Sequence, residues 1–314
     1  MVKKVLTVGE ILVEIVATTK GDGFREPQSL VGPFPSGAPA IFIDQVGRLG
    51  TPAAIVSRVG DDDFGRLNLD RLAADGVDVS GIEVAKGETT GSAFVRYRPD
   101  GSRAFVYNIA HSATGKLTLT PDAEALMDTC DHMHVMGTAL SAPGLARVAR
   151  EAIARVKARG GTLSFDPNLR PEILGTPGLR GALDEVLAQS DLFLPSGEEI
   201  YLFTEADDEA GAVKELLNRG VGEVVLKRGS QGASHFNRDG RTDVASIPAD
   251  ELDPTGAGDC FGGAFVSFWL AGASPKSALR YANAAGANAV TKVGPMEGAA
   301  TRDQLDALLG QTEG

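Results

Sequence analysis

Short apolar runs rich in β-branched residues alternate along the chain with longer segments in which apolar residues recur at helical spacing. The runs that predict strands are KVLTVG, AAIVSRVG, HMHVMG, GTLSFDP, DLFLPS and GEVVLKRG. The segments that predict helices are AIFIDQVGRLG, FGRLNLDRLAADG, GLARVAREAIARVKARG, LRGALDEVLAQS and DEAGAVKELLNRG. Strands that alternate with helices are typical of a parallel sheet with crossover helices. The sequence therefore predicts a doubly wound α/β fold, with ligands at the carboxyl ends of the strands.

Two regions, residues 11–37 and 89–112, interrupt this alternation of strands and helices. Both alternate apolar and polar residues, and Pro99-Asp100-Gly101 predicts the turn of a β-hairpin. We expect the two regions to pair as a small antiparallel sheet that acts as a lid over the site. The alternative is that the hairpin only extends the main sheet. No repeat or linker divides the chain, so residues 1–314 are expected to form a single domain with this lid.

Charge and composition exclude several classes of function. The 314 residues carry a formal net charge of −12, which argues against nucleic acid or an anionic membrane as a partner. No segment has the apolar length of a membrane span, and acidic Glu10 and Glu14 interrupt the first apolar run, which predicts a strand and not a signal peptide. With only two cysteines, a disulfide framework is not expected and a cytoplasmic location is.

The segment DPTGAGDCFGG places an acidic residue, Asp259, directly after a glycine-rich turn that opens an apolar helix. The N–H groups at such a helix start attract anions, and a carboxylate without a role there would repel a phosphate. Asp259 fits as a base that takes a proton from a hydroxyl as that hydroxyl attacks a phosphate. The alternative is a glycine-rich helix start in which Asp is only a favourable first-turn charge.

Two common phosphate-binding motifs are absent from the sequence. The chain has no P-loop, because Gly115-Lys116 is followed by Leu117. The glycines of the Asp259 segment do not match the spacing of a dinucleotide fingerprint, and no ribose-binding acidic residue follows at the usual distance. A nicotinamide-dependent dehydrogenase is therefore not favoured.

Motifs in order along the chain resemble those of the ribokinase (PfkB) family of carbohydrate kinases. They are GEILVEI, PSGAPA, VGDDDFG, DPNLR, LPSGEE, VVLKRGSQGA, DPTGAGDCFGG and YANAAGANAVTKVG. The resemblance spans the whole chain and implies a Rossmann-like αβα sandwich, mostly parallel, with a small β-sheet lid. It also implies transfer of the γ-phosphoryl group of ATP to a sugar hydroxyl, with Mg²⁺ and, in many relatives, K⁺.

The same resemblance assigns the residues around the transferred phosphoryl group. It implies that Asp259 is the general base. It implies an anion cradle and a nucleotide site formed by Gly256, Ala257, Gly258, Lys227, Gly229, Gly232, Thr255 and Asn283. For Lys227, an exposed lysine at a strand end is an equal alternative.

Metal contacts are also implied by the resemblance. Glu199 matches a family glutamate that helps to organise hydrated Mg²⁺, although Ser196 replaces the usual Asn of that motif. Asp253 and Thr255 match positions that hold a monovalent cation in many relatives. Backbone donors that satisfy the Asp253 carboxylate are the alternative to such a cation.

The sugar site departs most from the family pattern. The residues that the resemblance assigns to sugar binding are Glu14, Gly37, Tyr107 and Arg170, with Asp259 beside them. Ser36, Ile41 and Ile109 replace polar or small residues that are common in relatives, and Ile109 stands where 2-keto-3-deoxygluconate kinases tend to carry arginine. In DPNLR, Asp166 and Asn168 have the alternative role of capping a helix after Pro171.

These features favour a neutral ketohexose, tagatose or fructose, as the substrate. The sequence as a whole resembles those of sugar kinases of the tagatose, fructose and 2-keto-3-deoxygluconate type. A 2-keto-3-deoxygluconate kinase and a nucleoside kinase are the alternatives, and a non-catalytic sugar or nucleotide sensor is the alternative of another class. A homodimer through the lid is expected, since lid sheets pair in many relatives.

Three further residues have both a functional and a structural interpretation. His132 and His134 alternate along one predicted strand, where they are candidate metal ligands or part of the core. Cys260 follows Asp259 at a helix start, which suggests either an oxidisable thiol or simple packing. The core interpretation is favoured for all three.

Overall fold

The computed structural model describes residues 2–169 and 175–311. The strands, in chain order, are β1 Val5–Val8, β2 Leu12–Ala17, β3 Leu30–Ser36, β4 Ala53–Gly60, β5 Val77–Asp78, β6 Ile82–Ala85, β7 Gly91–Tyr97, β8 Arg103–Asn108, β9 His132–Met136, β10 Thr162–Asp166, β11 Leu192–Phe193, β12 Glu223–Lys227, β13 Ala233–Asn237 and β14 Gly240–Val244. The α-helices are α1 Ala38–Arg48, α2 Asp63–Ala74, α3 Pro121–Met127, α4 Pro143–Ala158, α5 Leu179–Leu187, α6 Glu209–Asn218, α7 Ala257–Leu270, α8 Pro275–Ala289 and α9 Arg302–Gln311.

The main sheet has the strand order β14-β13-β12-β11-β10-β9-β1-β4-β5, with β6 also paired to β4. All pairs from β12 to β5 are parallel, and only β12-β13-β14 is antiparallel. The six predicted strands are β1, β4, β9, β10, β11 and β12, which are parallel strands of this sheet. The predicted α/β class with a mostly parallel sheet is confirmed.

Hydrophobic side chains cover both faces of the main sheet. One cluster joins the sheet to α1, α7, α8 and α9, and the other joins it to α3, α4, α5 and α6. Successive β12 residues alternate between them, with Val225 in the first cluster and Leu226 in the second. Such a sheet, buried on both faces, requires the continuous apolar runs seen in the sequence.

Helix α7 is apolar around its whole circumference because it lies inside the protein. Every residue from Asp259 to Phe268 is buried, and the helix packs between α1 and α8. A helix with an exposed face would carry polar residues on that face. The burial of α7 fixes the position of its N-terminus at the edge of the sheet.

A separate four-stranded sheet, the small sheet, has the order β3-β2-β7-β8. Pairs β2-β3 and β7-β8 are antiparallel and β2-β7 is parallel, so the predicted wholly antiparallel sheet is wrong in this one pairing. Pro99, Asp100 and Gly101 form the predicted hairpin turn, in which Gly101 has φ 84°. The small sheet does not extend the main sheet, and its action as a lid stays a prediction.

The two strand histidines belong to the core. His132 bonds Thr162 and Ser164, and His134 shares Ser164 and stacks on Phe42 at 3.6 Å between ring centroids. Burial lowers the pKa of His132 to about 3, so the ring is neutral. In the part of the chain that the structure describes, no group of three or more His, Cys, Asp or Glu residues could hold a metal ion.

Cys260 is buried, and burial raises the pKa of its thiol well above the usual value. The packing interpretation therefore fits Cys260.

Among residues 2–169 and 175–311, no helix combines the length and apolar character that a membrane crossing needs.

Phe193→Ala should destabilise the fold strongly. The ring is fully buried between Phe165 and Phe203, at 5.6 and 5.4 Å between centroids, and its loss leaves a cavity. We expect a loss of about 3–5 kcal/mol in the free energy of unfolding, measured by urea denaturation. Leu252→Ala, at a side chain that is 64% exposed, is the control and should change it by less than about 0.5 kcal/mol. A cost for Phe193→Ala as small as the control's would contradict this packing.

Candidate active site

Gly256 makes the turn that starts α7 at the edge of the main sheet. Its φ is 83°, in the left-handed region, and a Cβ there would lie 2.3 Å from the carbonyl oxygen of Pro295. Only glycine fits such a position. The turn directs the first N–H groups of α7, which have no partners within the helix, toward the carboxyl edge of the sheet.

Gly258, in the first turn of α7, is exposed and has space around it. A Cβ added there would meet nothing nearer than Lys227 Nζ, at 3.9 Å. The fold therefore does not require glycine at this position. A glycine that the backbone does not need, at the N-terminus of a buried helix, leaves room for an anionic ligand to approach the backbone.

Asp259 lies next to this open backbone. It is 7% exposed, and its Oδ1 accepts a hydrogen bond of 2.8 Å from Nδ2 of Asn168. Asn168 has φ 41°, which is unusual for a residue other than glycine. The carboxylate is thus held in one orientation beside the N-terminus of α7.

The sequence offered Lys227 either as a nucleotide contact or as an exposed lysine at a strand end, and the structure shows a buried lysine in an ion pair. It is 8% exposed, so it is not a surface lysine, and its Nζ bonds the carboxylate of Asp166 at the end of β10. Asp166 also accepts the N–H of Asn168 at 3.1 Å. Asp166 and Asn168, which the sequence offered as helix caps, therefore form hydrogen bonds around Asp259.

A cleft of about 490 Å³ lies on one side of this cluster, between the turn at Gly197–Phe203 and the turn at Gly229–Gln231. Lys227 and Gly229 line it, together with Ser196 and Arg228. Of these, Lys227 and Gly229 are residues that the resemblance assigned to the nucleotide site. The cleft is wide and polar enough for a phosphate chain.

Gly232 and Asn283 do not line this cleft. Gly232 has φ 90°, and a Cβ there would lie 2.2 Å from the carbonyl oxygen of Val244. Asn283 donates to the carbonyl oxygens of Val244 and Ala245. Both residues thus fix the chain that leaves β14, and their contacts with a nucleotide stay predictions.

Glu199 uses both carboxylate oxygens for backbone contacts. Oε1 accepts the N–H of Leu169 at 2.8 Å and Oε2 that of Ser196 at 2.7 Å. Burial, followed by the nearby Asp166 carboxylate, raises the pKa of Glu199. Each oxygen keeps a second lone pair, so the residue fits an indirect contact to Mg²⁺ through water and not a direct one.

Three donors satisfy Asp253, which is 2% exposed. Its Oδ1 accepts the Tyr97 hydroxyl at 2.5 Å and the Thr255 N–H at 2.9 Å, and Oδ2 accepts the Gly294 N–H at 3.1 Å. Burial and this hydrogen bond raise the pKa of Tyr97, so its hydroxyl keeps the proton that it donates. These contacts favour the alternative of internal donors, and a monovalent cation stays a prediction.

Tyr97 and Arg103 connect the small sheet to the loop before α7. Arg103, at the start of β8, donates to Thr255 Oγ1 at 3.1 Å. The sequence singled out neither residue for this contact, because partners more than 150 positions apart leave no local pattern. The small sheet is thus hydrogen-bonded to the turn that precedes Gly256.

A second cavity, of about 510 Å³, lies under the small sheet. The predicted residues Glu14, Gly37, Tyr107 and Thr255 all line it, and so does Glu10, which the sequence did not single out as a ligand. Gly37 has φ 113°, and a Cβ there would lie 2.3 Å from the carbonyl oxygen of Glu10. The backbone therefore approaches closely at the floor of the cavity.

The apolar replacements noted in the sequence also lie in this cavity wall, at Ile41 and Ile109. Tyr107, which lines the cavity, stacks on Phe105 at 4.9 Å between ring centroids, and Phe94 packs on Phe24 in a separate pair. The predicted sugar contact Arg170 lies outside the residues that the structure describes.

The sequence model of the pfkB family carbohydrate kinases matches residues 2–302. The chain belongs to this family. The suspected family is confirmed, and so is the predicted class of enzyme, an ATP-dependent kinase that phosphorylates a sugar hydroxyl.

Curated relatives of this pfkB family kinase include fructokinases. Fructokinase-1 of Oryza sativa subsp. japonica is 32% identical over 316 residues, covering 97% of both chains. A fructokinase of Klebsiella pneumoniae is 29% identical over 314 residues, covering 98% of this chain and 99% of that protein.

Solved structures give the same picture of the fold. An E. coli protein provisionally named ribokinase II, in complex with ATP and Mg²⁺, is 47% identical with a TM-score of 0.93, covering 98% of this chain and 99% of that one. Fructokinase from Vibrio cholerae O395, with fructose, ADP and calcium bound, is 25% identical with a TM-score of 0.81 over the same shares. The predicted ribokinase-like fold is confirmed.

Gly258→Ala should separate catalysis from folding in this kinase. The methyl group fits the fold but fills space beside the N–H groups of α7, so we expect kcat to fall by about 10–100-fold. The melting temperature should stay equal or rise slightly, since alanine favours helix. Gly262→Ala, one turn later with its nearest neighbour Phe42 at 3.6 Å, is the matched control and should keep near-normal kcat. Equal kcat in the two variants would show that no ligand needs the space at Gly258.

Proposed function

We propose that this kinase phosphorylates a primary hydroxyl of a neutral ketohexose, fructose or tagatose, with ATP as the donor. The observation that carries the proposal is the position of the Asp259 segment between the two cavities. Thr255, four residues before Asp259, lines the cavity under the small sheet. Lys227, whose Nζ lies near Gly258, lines the cleft between the turns at Gly197–Phe203 and Gly229–Gln231. A sugar in one and a nucleotide in the other would approach each other near the first turn of α7, which carries Asp259.

In the proposed reaction, the Asp259 carboxylate accepts the proton of the sugar hydroxyl as its oxygen attacks the γ-phosphorus of ATP. A new oxygen–phosphorus bond forms, the bond between the γ-phosphorus and its bridging oxygen breaks, and ADP leaves with that oxygen. The N–H groups of Ala257 and Gly258 stabilise the negative charge of the transferred group. Proton transfer of this kind contributes about 10²–10⁴ in rate.

Mg²⁺ is part of this proposal, as it is bound with ATP in the E. coli neighbour. Bound with the nucleotide here, it would neutralise charge on the phosphates, with Glu199 in contact through water. Asp253 and Thr255 remain the candidate contacts for K⁺.

The character of the cavity under the small sheet supports a neutral sugar. Two buried carboxylates, Glu10 and Glu14, line it, and none of its described lining residues is lysine or arginine. Carboxylates accept hydrogen bonds from sugar hydroxyls and repel a substrate carboxylate. The names of the fructokinase relatives agree with a ketohexose.

Asp259→Asn tests the proposed base. The amide keeps the shape of the side chain but cannot accept a proton, so we expect kcat to fall by at least about a hundredfold while ATP binding is kept. The measurement is ADP release with tagatose, fructose, 2-keto-3-deoxygluconate and nucleosides as acceptors. Near-normal turnover of the variant would show that Asp259 is not the general base.

The outcome of the panel decides among the substrates. Turnover with fructose or tagatose that depends on Asp259 supports the proposal. Preference for 2-keto-3-deoxygluconate or a nucleoside would replace the ketohexose, and ATP binding without turnover of any acceptor would favour the sensor.

We further infer a cytoplasmic homodimer that pairs through the small sheet. Its two edge strands expose apolar side chains: Leu30 and Val31 on β3 are 43% and 41% exposed, and Val106 on β8 is 53% exposed.

Val106→Glu should convert a dimer into monomers, measured by light scattering, since a charge in an apolar interface is unfavourable. Val2→Glu, at an exposed position outside the small sheet, is the control. A wild-type chain that is monomeric at high concentration would contradict the inference.

A further inference from the structure

Lys227 and Asp166 stand two strands apart in the main sheet, and their side chains meet across the end of β11. Strand β11 has only two residues, so its neighbours β10 and β12 extend beyond it. Lys227 ends β12 and Asp166 ends β10. The chain after β11 continues between them, because the Lys227 N–H donates to Pro195 and Ser196 forms a parallel bridge with Lys227, so the lysine side chain reaches the carboxylate across this segment. The pair is buried, with side chains 9% and 1% exposed.

The contact continues from this ion pair to the proposed base. Asp166 accepts the backbone N–H of Asn168 at 3.1 Å, and this holds Asn168 in its left-handed conformation. From there, Nδ2 of Asn168 donates to Oδ1 of Asp259 at 2.8 Å. A continuous path of three polar contacts thus links Lys227 to Asp259.

The charges around Lys227 support a protonated ammonium group. Burial alone would lower the pKa of Lys227, but the carboxylates of Asp166, Glu199 and Asp259 outweigh it and raise the pKa. His134, a titratable neighbour of Lys227, is neutral because burial lowers its pKa well below the usual value. Within the part of the chain that the structure describes, the Lys227 ammonium group thus interacts with three carboxylates near the first turn of α7.

We propose that Asn168, held by Asp166 and Lys227, is a positioning residue that fixes the Asp259 carboxylate for proton abstraction. The proposal rests on the proposed role of Asp259 as the base. A carboxylate at a helix start can rotate, and a misplacement of about 1 Å at a reacting centre costs up to about a hundredfold in rate. The Asn168 amide restrains that rotation from outside α7.

This role differs from nucleotide binding by Lys227. A lysine that holds phosphate needs its ammonium group directed toward the ligand. Here one donor of that ammonium group is paired with Asp166 within the protein, while Lys227 also lines the cleft. The positioning role therefore predicts an effect on kcat, and the binding role predicts an effect on KM for ATP.

Asn168→Gly is the main test, because glycine keeps the left-handed backbone and removes only the amide. We expect kcat to fall by about 10–100-fold, with KM for ATP and for sugar within about threefold of wild type. An unchanged kcat, or a rise in KM alone, would overturn the proposal.

The same substitution in the Asp259→Asn background tests whether the effect passes through Asp259. There, Asn168→Gly should change the residual rate by less than about twofold, because the base that it positions is gone. An equal loss in both backgrounds would assign Asn168 a general structural role and overturn the proposal. If Asp259→Asn itself keeps normal turnover, the proposed base fails and the positioning role fails with it. If Asp259→Asn loses turnover and Asn168→Gly keeps it, the base stands and only the positioning role fails.

Lys227→Met completes the series. It removes the ammonium group but leaves Asp166 buried without its partner, so a loss of stability accompanies it. In the folded fraction, kcat should fall as for Asn168→Gly, and calorimetry should give an ATP affinity within about threefold of wild type. A loss of ATP affinity with normal kcat at saturation would return Lys227 to the nucleotide site and remove it from the proposed set.

Discussion

The site depends on the start of one buried helix. Helix α7 is surrounded by the core, so neither its axis nor its N-terminus can shift without repacking α1 and α8. The left-handed turn at Gly256, pressed against the Pro295 carbonyl, fixes where the helix begins. Dipole, N–H groups and the Asp259 carboxylate are therefore positioned by packing, before any ligand is bound.

Most of the polar side chains at that helix start come from other elements of the fold. The sheet brings Asp166 and Lys227 beneath it, the segment after β10 brings Asn168 beside it, and the small sheet reaches the loop before it. Each contact arises at the carboxyl end of a strand or from the small sheet. The doubly wound topology explains this, because the carboxyl ends of parallel strands meet at one edge.

Local patterns in the sequence were enough for the six parallel strands from β12 to β4, which are short apolar runs, and for α7, whose apolar run is longer and follows a glycine-rich turn. They did not predict β13 or β14, whose residues are mostly polar and which lie at the antiparallel end of the sheet. They also did not predict β5 and β6, which have only two and four residues at the other end. For the site, small residues and Asp259 marked the helix start. The contact of Asn168 with Asp259 was not predicted, because it joins residues 91 positions apart. Lys227 was ambiguous for a similar reason, because its partner Asp166 depends on the strand order of the sheet.

The bonds from Tyr97 to Asp253 and from Arg103 to Thr255 have a thermodynamic consequence. They join the small sheet, which covers one cavity, to the loop that leads into α7. A ligand that shifts the small sheet must change the free energy of that loop, and with it the affinity for a ligand at the helix start. Such coupling is reciprocal, so any factor by which the sugar alters nucleotide affinity is the factor by which the nucleotide alters sugar affinity.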